Sequence, residues 1–516
     1  MSTSQESSRP SATHRTASRG DKMDVNASTP GASFVRVSWH WIRAASGYRI
    51  QVAKDADFTK VVTARKKRNS NKRPAGGRET AVVGGLRDAT YYWVRVRKVV
   101  GSHKSSWSSA ERVGTKAKMP DRITRAVGGP GPAPGTTKIK WTSDGGHTDF
   151  FRITTALTPF GNASTPKEGR HSTTFRVSGD QRSLTLSPEQ TAAAGAALHT
   201  GHHLFFRITA VRAGEADRAV RAYQHLRSTT VAGQSSPGSN SPLRFASYNL
   251  HTASKDVPGH PWRDRTPWVA ENLARANPAV VALQEMLPNM WDNRAGGIGL
   301  KAALSNAGMG RYRLTRDSAY GDSPGDSRIL YDPNQVQMTS SCDPDADTCA
   351  IKMPDPDGRV RLAAYARFQD LSSGQEFWFV SAHLNPGNDA KTDEVRGRQA
   401  QAVVDAMRSI NTQHLPIVVG ADLNSSQTSN GKDAPHSAFL QAGYYNTSAA
   451  ETQINLEYNS VNAYKTPEKP SNYGFGSMID SIMTLGMPGA DVFKQWLTGA
   501  PYPTDHNLIT ADVRLP

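Results

Sequence analysis

Hydrophobic and polar residues alternate with a period of two in short segments along the first part of the chain. This alternation is present in FVRVSWHW (34–41), in YRIQVA (48–53) and in the segment that begins at Leu86. This period predicts strands that are buried on one face. KIKWTS, FFRITTAL and HHLFFRITAV form a second set between about 120 and 230. The pattern therefore predicts two consecutive all-β units after a disordered, Ser/Thr/Arg-rich leader over 1–30.

The pattern changes after GQSSPGSNSP at 233–242, whose Gly, Ser and Pro content predicts a linker. Beyond it, short apolar strands such as AVVALQE alternate with segments of helical periodicity. The clearest helical segments are TPWVAENLARA (266–276) and DEVRGRQAQAVVDAMRSI (393–410). Residues 243–516 thus predict one α/β domain, since about 275 residues suit one large domain.

The two β units resemble fibronectin type III modules, which are immunoglobulin-like sandwiches. In the first unit (31–118), either Trp39 or Trp41 would be the core tryptophan. The second unit (119–232) departs from the pattern, because Leu204 occupies the position where the family has its tyrosine. The resemblance implies binding or spacing roles without chemistry. It depends mainly on one strand of the first unit with its tyrosine corner: Leu86, Thr90, Tyr92, Val94 and Val96.

Composition excludes a fully disordered or coiled-coil chain, since 37% of the residues are hydrophobic and 21% charged. The net charge of +17 is unevenly distributed, with +22 in residues 1–240 and −5 in residues 241–516. The basic half predicts a polyanionic partner, either DNA or an anionic cell-surface polymer. Its charge is densest in ARKKRNSNKRPAGGR at 64–78. No apolar segment approaches about 18 residues, so we expect no transmembrane helix. We also expect a monomer.

Two cysteines, Cys342 and Cys349, lie in an acidic, turn-rich segment. The preferred interpretation is a surface disulfide that closes a hairpin, and two unpaired thiols are the alternative. A disulfide indicates an oxidising compartment. We therefore expect a secreted, extracellular protein, although the N-terminus has no apolar signal segment.

In the α/β domain, polar residues occupy strand margins where a core strand would stay apolar. Each alone has a plain explanation, because Asn and Asp form turns and single histidines are usually structural. Together they predict a functional site, since charged groups near apolar strands are costly unless they are paired or bind a metal. The set comprises Asn249, Glu285, His383, Asp422, Asn424, Asp480, Asp505 and His506.

The order of the motifs SYNL, LQE, SAHL, ADLN, IDS and DH over about 244–516 resembles the endonuclease/exonuclease/phosphatase superfamily, which includes deoxyribonuclease I. Two departures are Ala421, where the family usually has Gly, and Thr504, where Ser is common. The resemblance implies an α/β four-layer β-sandwich flanked by helices, and metal-dependent hydrolysis of phosphodiesters.

A divalent cation can neutralise the charge that builds on a phosphoryl group during attack by water. The resemblance implies Glu285 as the main ligand, with Asn249 and Asp505 nearby. Oxygen ligands of this kind suit Mg²⁺, with Mn²⁺ or Ca²⁺ as alternatives.

The remaining members of the set suit proton transfer and charge stabilisation. His506 fits a general base, because imidazole titrates near neutrality, and Asp480 would fix its tautomer. Asp422 would orient the water, and Asn424 would donate a hydrogen bond to a phosphoryl oxygen. His383 would stabilise the phosphate or act as the acid. The pattern leaves open which histidine is the acid and which the base.

Substrate contacts are expected from three further residues. Arg361 is placed where related nucleases have a phosphate-contacting Arg; a surface strand residue is the alternative. Trp262 and Arg265 would line the groove, since Trp stacks on bases and Arg pairs with phosphate; packed loop anchors are the alternative. Asp326 is a candidate partner for His383.

We expect a secreted endonuclease that acts on DNA and is tethered by its basic β units. Ser425 and Ser426 after the ADLN motif disfavour an inositol phosphatase. A sphingomyelinase would carry an exposed aromatic hairpin, for which only 494–503 is a candidate. Another phosphodiesterase of the superfamily and a non-catalytic surface adhesin are the alternatives.

Overall fold

The computed structural model describes residues 23–516 apart from short internal gaps. The leader before residue 23, most of the expected linker and Cys342 lie outside the described residues, so the disulfide stays a prediction. The gaps are 30, 134–135, 145–146, 158–159, 161–171, 194–200, 202, 214–220, 231–237, 239, 293–295, 316–325, 342–348, 357, 359–360, 429–432, 466–467, 472–474 and 488.

The chain divides into two compact units. The first consists of residues 1–122 with 145–150 and 210–223, and the second consists of the rest. The secretion, oligomeric state and domain boundaries expected from the sequence stay predictions. Among the described residues, no helix combines the length and the apolar character needed to cross a membrane.

The first unit contains two sheets that enclose an aromatic and aliphatic core. One sheet has the order β1-β2-β5 and the other the order β4-β3-β6-β7, with β8 paired to β6. The strands are β1 Val25–Ser28, β2 Phe34–His40, β3 Gly47–Ala53, β4 Val61–Arg68, β5 Arg78–Gly84, β6 Tyr91–Val100, β7 His103–Lys104 and β8 Glu111–Gly114.

Two expectations for this unit can be compared with the structure. Trp39 is fully buried against Tyr48, so it is the core tryptophan and the half-buried Trp41 is not. The Tyr92 hydroxyl accepts a hydrogen bond from the Arg87 amide at 2.9 Å, as a tyrosine corner would. Within the expected leader of residues 1–30, Val25–Ser28 forms a strand that pairs with β2. The family of the module stays a prediction.

The second β region also forms two sheets, β13-β10-β9 and β12-β11-β14-β15. Phe205 from this region shares a buried cluster with Phe245 of the α/β domain. The His203 ring stacks on Phe475 at 4.1 Å, and its Nε2 lies 3.0 Å from Ser448 Oγ. The elements are β9 Ile123–Pro130, β10 Thr137–Ser143, β11 Phe150–Ala156, β12 Thr173–Ser178, β13 Ser183–Leu186, α1 Pro188–Ala193, β14 His203–Arg212 and β15 Arg221–Thr230.

Two seven-stranded sheets form the centre of the α/β domain. The first has the order β18-β19-β17-β16-β29-β28-β26, and the second the order β20-β22-β23-β24-β27-β25 with β21 on β22. The strands are β16 Leu243–Asn249, β17 Val280–Gln284, β18 Arg313–Leu314, β19 Arg328–Tyr331, β20 Val336–Met338, β21 Ala350–Met353, β22 Arg361–Asp370, β23 Glu376–His383, β24 Ile417–Asp422, β25 Tyr445–Asn446, β26 Thr452–Ile454, β27 Asp480–Leu485, β28 Val492–Trp496 and β29 Leu508–Val513.

Helices cover both outer faces, which gives the expected four layers. Phe245 and Phe379 pack between the sheets, whereas Leu273 and Val403 pack under the helices of the two outer layers. The helices are α2 Trp262–Ala276, α3 Pro288–Trp291, α4 Leu300–Asn306, α5 Ala390–Ile410 and α6 Ala434–Gln441, with 3-10 turns at Ala75–Gly77, Ala253–Lys255 and Thr447–Ala449.

Both long helices begin earlier than the periodicity predicts. The side chain of Asp389 accepts a hydrogen bond from the Thr392 amide and so starts α5 at Ala390. Helix α2 starts directly after Pro261 and contains Pro267 inside the helix. These helices fix the loops that follow β16 and β23.

The polar strand ends meet at one edge of the sandwich. Parallel pairing sets His383 opposite Asp422, and antiparallel pairing sets Asp422 opposite Asp480. Gly420 lets the two sheets approach here, since a Cβ at this position would lie 2.6 Å from Ala282 Cβ. The register therefore brings residues from distant motifs into one site.

Candidate active site

Asp422 lies at the centre of the clustered polar residues. Its Oδ2 accepts a hydrogen bond from Asn249 Nδ2 at 2.9 Å. The Nε2 atoms of His383 and His506 lie 3.9 and 4.0 Å from the same oxygen. Both distances exceed a hydrogen bond. Both Nε2 atoms therefore stay available for a substrate oxygen or a water beside Asp422.

Each of these histidines is oriented by its own carboxylate. His506 Nδ1 donates to Asp480 Oδ2 at 2.9 Å, and His383 Nδ1 donates to Asp326 Oδ2 at 2.7 Å. A carboxylate on Nδ1 fixes the ring orientation and leaves Nε2 for chemistry. Two histidine–aspartate pairs thus place an imidazole Nε2 near Asp422.

The pKa values follow from burial and from the neighbouring carboxylates. Burial by itself would lower the pKa of both imidazoles. Asp326 and Asp422 outweigh burial and raise the pKa of His383 to about 9. Asp480 and Asp422 raise the pKa of His506 to about 10. Burial and the charge of Asp480 also raise the pKa of Asp422, against the opposing effect of the imidazoles. Both imidazoles therefore hold a proton at neutral pH.

Glu285 is held beside this centre at the rim of the site. Its Oε1 accepts from Asn249 Nδ2 at 3.3 Å, and its Oε2 accepts from the Thr252 amide at 2.9 Å. Glu285 and Asn424 both have left-handed backbone, with φ of 56° and 48°. This conformation is uncommon for Glu, whereas Asn adopts it more readily, and such residues cluster at functional sites.

The side chain of Asn424 spans two strand ends. Its Nδ2 donates to the Leu384 carbonyl at 3.0 Å, and its backbone amide donates to Asp422 Oδ1 at 2.8 Å. One amide hydrogen is engaged in this way and the second remains for another acceptor.

Asp505 forms an ion pair that the sequence analysis did not anticipate. His251 Nδ1 lies 2.9 Å from Asp505 Oδ2, and Thr504 Oγ1 lies 3.2 Å from Asp505 Oδ1. Asp505 raises the pKa of His251, although burial opposes this. The sequence feature that could have identified His251 as a site residue is its position two residues after Asn249, in SYNLH.

An aromatic cluster continues from His251 along the rim. The rings of His251 and Tyr464 meet edge to face at 5.7 Å, and His260 stacks on Tyr464 at 4.1 Å. Tyr464 also contacts Tyr502 at 6.1 Å. Sequence patterns do not reveal this cluster, because three separate loops supply its residues.

Two groups of residues offer metal ligands. Ligand atoms of Asp422, Asp480 and His506 lie within 4.8 Å of one another, and Asp480 Oδ1 is buried without a hydrogen-bond partner. The expected set of Glu285, Asn249 and Asp505 is more accessible, with Asp505 23% exposed. Oxygen donors dominate both groups, which fits a hard divalent cation. A carboxylate in each group already has an imidazole partner, Asp480 with His506 and Asp505 with His251.

Two expected substrate contacts are wrong. Trp262 and Arg265 are 1% and 2% exposed, so neither side chain faces a groove. Arg265 donates to the carbonyls of His260 and His251 at 2.7 Å, and of Leu250 at 2.8 Å. A further bond to Pro503 at 3.0 Å ties the loop after β16 to the segment before β29. Arg265 is therefore a packed loop anchor, which is the alternative to a substrate contact that the sequence left open.

Arg361 lies near the site but is paired. Its Nε donates to Asp355 Oδ2 at 3.1 Å, and its side chain is 16% exposed. Burial would raise the pKa of Asp326, but the charge and hydrogen bond of His383 lower it, and the charge of Arg361 adds to this lowering. Arg361 therefore supports the Asp326–His383 pair.

Two segments that bear on substrate class are packed against the fold. Ser425 and Ser426 are buried. Trp496, in the expected hairpin region, is half-buried, donates to Thr510 Oγ1 at 3.1 Å and lies under Lys494 Nζ. Among the described residues of 494–503, no large hydrophobic side chain is exposed.

No family model and no curated protein matches the sequence. The solved structures that match this chain include an endonuclease/exonuclease/phosphatase from Bacteroides vulgatus, at 18% identity over 54% of this chain and 100% of that chain, with a TM-score of 0.41. The mannosyl-6-phosphatase of Bacteroides thetaiotaomicron matches at 18% identity over 52% of this chain and 99% of that chain, with a TM-score of 0.40. The human nocturnin catalytic domain matches at 15% identity over 55% and 97%, with a TM-score of 0.38. These values carry no argument for an activity, which depends on the residues of this chain.

Proposed function

We propose that the α/β domain is a metal-dependent phosphodiester hydrolase. The observation that carries this proposal is the convergence of two carboxylate-oriented imidazoles on Asp422. His383 Nε2 and His506 Nε2 lie 3.9 and 4.0 Å from its Oδ2, beside the Glu285–Asn249 pair. Phosphodiester hydrolysis needs a water-activating group, donors for phosphoryl oxygens and a donor for the leaving oxygen. This arrangement supplies all three.

Glu285, Asn249 and Asp505 would hold the cation, for which Mg²⁺ is the first choice and Mn²⁺ or Ca²⁺ the alternatives. When bound, the cation neutralises charge on the phosphoryl oxygens. His251 and Thr504 fix the carboxylate of Asp505 in place.

The buried residues provide the proton chemistry. Asp422 orients the attacking water and accepts its proton, and burial next to Asp480 makes this carboxylate a better base than an exposed one. His506 and His383 donate from Nε2 to the phosphoryl and leaving oxygens. Asn424 adds its second amide hydrogen to a phosphoryl oxygen. This division differs from the sequence expectation of His506 as the base.

Within the phosphodiesterases, we favour a secreted endonuclease that acts on DNA. The packed 494–503 segment speaks against a membrane-inserting sphingomyelinase, and the buried Ser425 and Ser426 do not provide a substrate contact. The basic N-terminal half complements a nucleic acid and would offset the negative charge of the α/β domain. A non-catalytic adhesin is disfavoured, because both histidine–aspartate pairs are complete.

Plasmid nicking by the full chain with Mg²⁺ tests the proposal. We expect His383→Ala and His506→Ala each to lower the rate by about 10²–10⁴-fold. His414→Asn, at an exposed turn of the same domain, should leave it unchanged. Parallel assays on sphingomyelin and bis-p-nitrophenyl phosphate separate substrate classes. An absence of cleavage with Mg²⁺, Mn²⁺ or Ca²⁺ on every substrate would refute a hydrolase.

A further inference from the structure

One face of the larger sheet in the first unit carries a concentration of cations. Along β3, Tyr48, Ile50 and Val52 are buried, so Arg49 and Gln51 point away from the core. The same alternation in β6 buries Tyr92, Val94 and Val96 and turns the intervening residues outward. The outward side of β4, β3, β6, β7 and β8 is called the basic face below.

Three cations lie side by side across neighbouring strands of the basic face. Arg49 is directly opposite Lys66 on β4 and directly opposite Arg97 on β6. Adjacent strands are about 4.8 Å apart. Like charges directly opposite each other destabilise a sheet. A row of this kind is therefore unfavourable for folding, and a bound anion would reduce the repulsion.

Further cations extend the row, and the face holds no compensating acid. Gly47 pairs with Arg68, Gln51 with Arg95, Trp93 with Arg112 and Val99 with Lys104, which turns these cations to the same side. The strand pairing shows which residues of these five strands face outward, and each of those residues is neutral or basic. None of the seven cations forms an ion pair with a described acidic side chain.

Aromatic and amide groups hold several of these arginines in fixed positions. The guanidinium groups of Arg95 and Arg97 lie over the Trp107 ring at 4.6 and 4.3 Å. Arg95 also donates to Gln51 Oε1 from Nε and Nη2 at 2.9 and 2.8 Å. Stacking on a ring face leaves N–H groups at the guanidinium edge for other acceptors, although Gln51 already occupies the Nε–Nη2 edge of Arg95. Ordered arginines lose less entropy on binding than free side chains would.

We propose that the basic face binds the phosphate backbone of a nucleic acid. The proposal extends the hydrolase function proposed above by naming a second contact with the same polymer, in the first unit. Fixed guanidinium groups match the bidentate geometry of phosphate. Residues two apart on a strand are about 6.8 Å apart, so the face presents a regular grid of charge to a regularly charged polymer.

The test measures binding of the full chain to fluorescein-labelled duplex DNA in EDTA, where cleavage does not interfere. The test variant combines Arg49→Gln, Lys66→Gln and Arg97→Gln. The matched control combines Arg36→Gln, Lys118→Gln and Lys140→Gln, which removes three exposed positive charges elsewhere. We expect the test variant to bind at least about 10-fold more weakly at low salt. Its slope of log K against log salt should fall by about 2.7, or about 0.9 per lost phosphate contact.

Equal weakening in the two triple variants would overturn the proposal, because net charge would then explain binding. Preferential binding to phosphatidylglycerol vesicles over DNA would also overturn it. If the triple variant does not fold by circular dichroism, the pair Lys66→Gln and Arg68→Gln on the edge strand β4 serves instead, with a slope change of about 1.8 expected.

Hydrolysis of bis-p-nitrophenyl phosphate separates this proposal from the catalytic one. This small substrate does not reach across a sheet, so the basic-face variants should cleave it at the parent rate. Loss of hydrolysis with intact DNA binding would refute the proposed enzyme alone. Intact hydrolysis with unchanged DNA binding in the test variant would refute the basic face alone.

Discussion

Asp422 and Asp480 lie directly opposite each other at the ends of β24 and β27. Both side chains are almost completely buried, at 1% and 2% exposure. Two buried carboxylates so close together are costly unless a positive charge is shared between them. The imidazole of His506, bonded to Asp480 and 4.0 Å from Asp422, supplies that charge.

Removing the charge of Asp480 should therefore change catalysis through His506. Asp480→Asn lowers the pKa of His506, because its largest stabilising partner becomes neutral. We expect kcat to fall by about 10²–10⁴-fold. Since the imidazolium is proposed as a donor, the alkaline limb of the pH–kcat profile should shift to lower pH. An acid limb that moves instead would identify His506 as the base.

The same ion pair should make stability depend on pH. The pKa of His506 rises from its ordinary 6.5 to about 10 in the folded protein. Its contribution is fully present below about pH 6.5 and is lost as the pH rises toward 10. Each unit corresponds to about 1.4 kcal/mol of unfolding free energy. Urea unfolding in EDTA between pH 6 and 10 measures this loss, and His506→Gln should show a smaller slope.

The rim carboxylate Glu285 should set the affinity for the cation. In Glu285→Gln, the strongest negative ligand becomes neutral while the hydrogen bond to Thr252 stays possible. We expect the Mg²⁺ concentration for half-maximal activity to rise at least about 10-fold. Direct Mn²⁺ titration provides a readout that does not depend on activity. Glu271→Gln, exposed on α2, is the control, and equal effects in both variants would contradict the assignment.

Arg265 should matter for folding and not for substrate binding. Arg265→Met leaves several buried carbonyls without their donor, at about 1–3 kcal/mol for each unsatisfied group. We expect a marked fall in Tm, whereas exposed Arg263→Met should have little effect. A higher KM with an unchanged Tm would restore the role of Arg265 as a substrate contact.

Residues at strand ends could be found from the sequence because they interrupt a local pattern. His383 follows the apolar run of β23, and Asp422 follows that of β24. Period-two alternation and the apolar runs are local properties, so the strands and the candidate set were visible without coordinates. Trp262 and Arg265 were misplaced because the periodicity of α2 does not show which loops fold over its first turn.

The sequence by itself determined the alternation that builds the sheets, the polar residues at their margins and the excess positive charge of the first 240 residues. Only the tertiary structure decided the pairings: His383 with Asp326, 57 positions away, His251 with Asp505, and Lys66 beside Arg49 and Arg97. Side-chain periodicity depends on near neighbours along the chain, whereas register and loop closure bring distant residues together. The sequence therefore identifies the candidate site residues. Their contacts, on which the proposed mechanism depends, follow only from the pairing of the sheets.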